Sequence, residues 1–252
     1  MNELKSVCFG AVLSTLLLAG GAHAQEQQPL PVEIWGCEFV DGAGMNDLVP
    51  VHNAFNQWAD QNGITELSLS TMTNMFTSPE DDYDVLYVGA WGSGAALGDG
   101  YTKFYSDSFA DVAAAFDQVV DCDLHAYFVG NQVVPWSEER GGGPVQFQDC
   151  TVLENVSDAD AIASIADFAG SVSGPSLGGF AVLFPFIGES RDASYDFKLV
   201  AVFDSYQSMG NAFDYLFRQG GIEAGNDTLA RTMQCDQARM YSQAPVREMA
   251  AQ

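Results

Sequence analysis

Few residues in this chain are able to do more than pack. Beyond the first 24 positions there are four cysteines (Cys37, Cys122, Cys150, Cys235), two histidines (His52, His125) and eight basic residues. Four cysteines in an oxidising compartment predict two disulfides, and spacing alone leaves three pairings open. No His or Cys pair has the spacing of a metal site, so no metal and no cofactor are expected. Gly174-Pro175-Ser176-Leu177-Gly178 matches G-x-S-x-G, but a helix precedes it, a strand follows it, and no histidine lies downstream. Gly92-Ser93-Gly94-Ala95-Ala96-Leu97-Gly98 has the form of a dinucleotide loop. Its later counterpart Asp204 to Gly210 loses the first two glycines, so both are read as serine-capped helix starts. His125 is read as a hydrogen-bonded core histidine on the helix-facing side of a strand, ahead of the alternative of a catalytic base or haem ligand. The acidic run Glu80 to Asp84 lacks the alternation of a calcium loop and reads as a solvated turn.

The elements that position these residues follow from composition and repetition. Thirty-four acidic residues against nine basic ones give a net charge of −25, which excludes nucleic acid and anionic membrane surfaces as partners. With 47% apolar residues the chain can bury a core and is not disordered. Lys5, the apolar stretch Val7 to Ala19 and Ala22-His23-Ala24 predict a secretory leader over residues 1–24, hence a periplasmic or secreted protein. Residues 25–30 form an extension.

The rest is written twice. Pro31-Val32, Cys37 and Cys122 recur 113 positions later as Pro144-Val145, Cys150 and Cys235, while Tyr83-Asp84, Trp91 and Gly98 recur at 112 as Tyr195-Asp196, Phe203 and Gly210. A tandem duplication follows, with repeats over 31–134 and 144–252 and a Gly- and Pro-rich linker at 135–143. Each repeat reads βαββαβ. The first has strands near 32–39, 67–76, 83–91 and 124–129, one helix carrying Leu48, Val51, Phe55 and Trp58, and a helical region from Ser93 broken near 106–108. The second repeats that order, with helices after Ser157 and Ser205. The class is α+β.

This order resembles the ferredoxin-like fold, and two such units in tandem resemble the dimeric α+β barrel superfamily. That superfamily includes cofactor-independent monooxygenases, stress-response barrels and haem-handling enzymes. The resemblance implies two four-stranded sheets facing each other, and antiparallel neighbours in strands one and four. On that topology the disulfides are Cys37–Cys122 and Cys150–Cys235.

Alternation along the strands then predicts the faces. The cysteine side carries Glu33, Trp35, Leu124 and Phe128 in one half, and Gln146, Gln148 and Arg239 in the other. Val32, Ile34, Val145, Phe147, Ala238 and Met240 lie opposite and suit a helix layer. The cysteine side is therefore expected to be the barrel interior, joined by Lys198. Glu33, Trp35, Lys198, Gln148 and Arg239 are the candidate ligand-binding residues, for a small amphipathic molecule whose carboxylate would suit the two cations. The alternatives are a cofactor-independent monooxygenase- or isomerase-like enzyme and a structural or interaction module. Because one chain supplies both halves, a monomer is expected.

Overall fold

The computed structural model describes residues 28–78, 83–135, 141–172, 178–189 and 193–250. The expected leader, the centre of the linker, the acidic run at 79–82 and most of the G-x-S-x-G motif lie outside them. The first repeat comprises β1 (Leu30–Phe39), α1 (Met45–Gln61), β2 (Leu67–Phe76), β3 (Val85–Trp91), α2 (Gly94–Phe104), α3 (Ala110–Asp117) and β4 (Val120–Val134). The second comprises β5 (Gly143–Val152), α4 (Asp158–Val172), β6 (Gly179–Ile187), β7 (Phe197–Val202), α5 (Tyr206–Arg218), α6 (Gly221–Asp227), β8 (Met233–Cys235) and β9 (Arg239–Arg247).

Local chemistry starts the helices where the sequence does. Ser93 Oγ accepts the Ala96 N–H and Ser205 Oγ accepts the Ser208 N–H, each at 3.1 Å. The first helix starts slightly earlier than Asn46, with Gly44 as its cap and the Asp47 carboxylate accepting the Gly44 N–H. Asp84 and Asp196 repeat one role: each carboxylate accepts a backbone N–H across the sheet, from Phe39 at 2.8 Å and from Val152 at 2.7 Å.

Within each half the strand order is four, one, three, two, all antiparallel, with β8 and β9 together making the fourth strand of the second half. The halves join because β4 also pairs with β6 and β2 pairs with β9, while β7 pairs with β5. Eight strands thus close into a barrel, and closure leaves the pairing edges of those strands satisfied. Cys37 pairs with Cys122 and Cys150 with Cys235 across the first and fourth strands of each half, and both form disulfides.

The faces differ from the expectation. Cys37 is buried with Leu48, Val51 and Phe55 of α1, with Trp35 packed against them, so the cysteine side of β1 faces the helices. Val32, Ile34, Phe128, Val145, Phe147 and Val200 are buried together between the two sheets. Between the sheets these side chains form a packed apolar core, beside which Lys198 and Arg239 pair with Asp149. A bulge adds a second correction. Gly36 is opposite Leu124 but Cys37 is opposite Cys122, so one extra residue in β4 throws Leu124 and Phe128 onto the interior face. The second half repeats the shift, with Cys150 opposite Cys235 and Phe147 opposite Arg239. Arg239 and Phe128 reach the interior because the two differences cancel.

Candidate active site

Among the described residues Glu33 is the most deeply buried charged side chain, at 1% exposure. A carboxylate there needs donors, and three elements supply them. Trp91 at the end of β3 donates its indole N–H to Oε2 at 2.9 Å. Tyr101 on α2 donates its hydroxyl to Oε1. His125, the direct neighbour of Trp35 across β1 and β4, places Nε2 3.1 Å from Oε1 and 3.2 Å from the Tyr101 oxygen. Nε2 thus faces two acceptors, since the Tyr101 proton goes to Glu33. That network assigns the imidazole proton to Nε2 and leaves the lone pair on Nδ1. The imidazole lies flat on Trp35, with ring centroids 4.7 Å apart and planes at 17°.

Burial first, and the hydrogen bond to Glu33 next, push the Tyr101 phenol well above its ordinary range, so it stays a donor. Burial likewise raises Tyr87, whose hydroxyl is 2.9 Å from His52 Nε2 on α1, and burial lowers the His52 imidazole.

Trp35, Trp91, Tyr101 and His125 form part of the wall of a cavity of about 520 Å³ between the first-half sheet and its helices. Phe55, Tyr87, Phe104, Tyr105, Phe109 and Phe116 complete its aromatic lining, with Leu67, Leu69, Ala113, Asp117 and Cys122. Its size falls within the ~300–1,000 Å³ typical of small-molecule sites. Glu33 stands behind this wall. Making room required a glycine: a Cβ on Gly100 of α2 would come within 2.1 Å of the Trp91 ring.

The five candidate residues fall into two groups. Glu33 and Trp35 come together here. Lys198, Gln148 and Arg239 gather in the second half around Asp149 and Asp236. Lys198 Nζ is 2.9 Å from Asp149 Oδ1, and Arg239 Nη2 is 3.1 Å from both Asp149 Oδ2 and Asp236 Oδ2. Gln148 donates to the Asp236 carbonyl at 2.9 Å. Both cations are thus already met by carboxylates of the chain. Lys198 lies over the interior Phe128 ring, on the opposite face of the barrel wall from the aromatic cavity.

Sequence reasoning passed over Trp91 and Tyr101 and treated His125 as core. A signal was present in the repeat. Glu33, Trp35, Trp91, Tyr101 and His125 correspond to Gln146, Gln148, Phe203, Phe213 and Ala238, so five positions change together and meet in space.

No family model and no curated relative matches the sequence. Solved structures do match over most of their length. A mutant chlorite dismutase from Candidatus Nitrospira defluvii aligns with a TM-score of 0.52 at 7% identity, covering 86% of this chain and 92% of its own. A candidate monooxygenase from Fusobacterium nucleatum gives 0.52 at 10%, covering 87% and 94%. An anthrone oxidase-like protein gives 0.50 at 13%, covering 90% and 97%. The fold is a dimeric α+β barrel in one chain. In this tandem barrel the second half fills the place of the aromatic cavity, where Phe203, Ala212 and Met240 are buried together against Met209 and Phe213.

Proposed function

We propose that the first-half cavity of the tandem barrel binds a small, largely aromatic molecule, and that His125, paired with Glu33, exchanges a proton with it. The observation that carries this reading is an aromatic cavity bordered by a histidine whose Nε2 is held by a buried carboxylate. Such a pair orients the imidazole and fixes which nitrogen carries its proton, which suits a general base. Similarity to a candidate monooxygenase and to an anthrone oxidase-like protein supports an enzyme of cofactor-independent oxidative type over a passive carrier.

Haem-handling proteins share the fold, so a porphyrin is the cofactor to weigh. An imidazole donor exists in His125 Nδ1. The lining, however, contains Asp117 and no Lys or Arg, which leaves a porphyrin's two carboxylates without a cation. The residues do not fit that group, and the proposed chemistry runs through protein side chains.

Two further points belong to the reading. Residues 1–24 act as a leader, which puts the protein in the periplasm or outside the cell. Two disulfides fit an oxidising compartment. Among the described residues no helix is long and apolar enough to cross a membrane. Each half completes the barrel for the other, so the working unit is a monomer, and light scattering that returned an obligate dimer would contradict this.

Native mass spectrometry of the protein from its own exported fraction tests the main reading, followed by oxygen uptake on any molecule found bound. The expected result is an adduct lost on denaturation and turned over by wild type but not by His125→Ala. A bare chain whose tryptophan fluorescence is unmoved by 2-naphthol would overturn it.

A further inference from the structure

We infer that the ligand is a neutral hydroxyaromatic, a phenol or naphthol in class, whose hydroxyl donates to His125 Nδ1, and that carboxylated aromatics are turned away. This rests on the binding reading above and adds the ligand's polar group and charge.

The polar group follows from the hydrogen-bond network. The Nε2 proton is committed to Glu33 and the Tyr101 oxygen, and the Tyr101 proton to Glu33. Nδ1 has no hydrogen-bond partner among the described residues and can only accept. Histidine therefore asks for an O–H or N–H from the ligand. The ten aromatic side chains of the lining ask for a flat ring on which to stack, edge-on or offset.

The charge follows from what surrounds the cavity. Asp117 is on the wall and Glu33 behind it, and no Lys or Arg lines it. Lys103 on α2 pairs with Asp99 at 3.1 Å, while Lys198 and Arg239 are bound to carboxylates in the second half. A carboxylate entering here would lose water and gain no cation. A phenol, with an ordinary pKa near ~10, enters uncharged at pH 7, whereas a carboxylic acid arrives ionised. A cationic ligand gains little either, because Glu33 is enclosed by its own three donors and Asp117 on the wall is exposed to water, where an ion pair is weak. When the hydroxyl proton moves, the ligand O–H bond breaks and an Nδ1–H bond forms. The products are a phenolate and an imidazolium whose Nε2–H still donates to Glu33. The step needs no oxidant.

Four probes sharing one ring system separate these claims on the wild-type chain with its disulfides intact: 2-naphthol, 2-methoxynaphthalene, 2-naphthoate and 2-naphthylmethylamine. Calorimetric titration at pH 7 is expected to give 2-naphthol an affinity at least tenfold above each of the others. In His125→Ala, which installs the second half's residue, naphthol should fall to the level of its methyl ether. Equal binding of naphthol and its ether to wild type overturns the role of the hydroxyl. Naphthoate or the amine binding as tightly as naphthol overturns the charge selection while leaving the cavity a binding site. If none of the four binds, the cavity reading falls and this inference with it.

Discussion

The two halves of the barrel share strand order, bulge and disulfide, yet they carry their polar clusters on opposite faces of the sheet. In the first half Glu33 and His125 lie on the helix face, while the interior positions Gly36, Leu86 and Ala126 are small or apolar. In the second half the counterparts of those three are Asp149, Lys198 and Arg239, which pair with one another inside the barrel wall. There the counterparts of Glu33 and His125 are Gln146 and Ala238, and Phe203 and Met240 on the same face are buried apolar residues. A buried charge persists only with its partners around it. Changing a cluster therefore means changing several side chains in concert, and each half carries one complete charged cluster, on opposite faces of the wall.

The first half also shows what its cluster demands of the packing. Trp91 reaches Glu33 only because Gly100 leaves its ring space, whereas Phe203 in the second half tolerates Ala212. Size exchanged across a helix–strand contact is the difference between an open aromatic cavity and a filled core.

The disulfides offer the largest effect and the sharpest test of equivalence. Both close loops with a sequence separation of 85. Replacing either cysteine pair with alanine is expected to cost about 2–5 kcal/mol, similar for the two halves, in urea unfolding. A large inequality would mean that the halves unfold as separate units. Next comes the buried carboxylate. Glu33→Ala strands the Trp91 and Tyr101 donors and should cost about 3 kcal/mol. Gln146→Ala, the same change in the second half, should cost about 1 kcal/mol. Similar losses at both would remove the energetic distinction between the faces.

The size exchange is a third test. Gly100→Ala should destabilise by about 1–3 kcal/mol through overpacking against Trp91. Adding Trp91→Phe, which copies the second half, should recover at least ~1 kcal/mol of that loss in a double-mutant cycle. Strict additivity would show that the contact is not what sets the pair.

The smallest effect is on pH dependence. Burial holds the His52 imidazole below its ordinary 6.5. As pH falls through that value the unfolded chain takes up a proton before the native one does, so stability declines on the acid side, by at most ~1.4 kcal/mol per pH unit. The counterpart of His52 is the buried Ile165, and His52→Gln should remove this part of the acid slope. The raised Tyr87 and Tyr101 act oppositely: above pH 10.0 the unfolded chain loses protons first, so stability falls as pH rises. An unchanged acid slope in the variant would assign the titration elsewhere.

Much of this was legible in the residues themselves. Matching residues at 113 and 112 positions revealed the duplication, and the βαββαβ order with its helix-capping serines placed nearly every element. Glu33 and Trp35 were recognisable as belonging to one face of a strand. The site was harder to see because its donors come from β3, α2 and β4, which no local pattern connects. Only the joint loss of five groups in the second repeat hinted that they meet.

The sequence by itself determined which side chains alternate together along each strand, because the period of two is a property of the extended backbone. It could not decide which of the two faces closes inward, since both faces of a helix-covered barrel wall are largely buried and alternation has no preferred side. Tertiary structure made that choice, through the bulges at the cysteines and the pairing of β2 with β9 and β4 with β6. Closure packed Val32, Ile34, Val145 and Phe147 against each other between the sheets and turned Glu33, Trp35 and His125 toward the helices. Glu33 and Trp35, which alternation had put on the barrel lining, stand instead behind and in the wall of an aromatic cavity outside it.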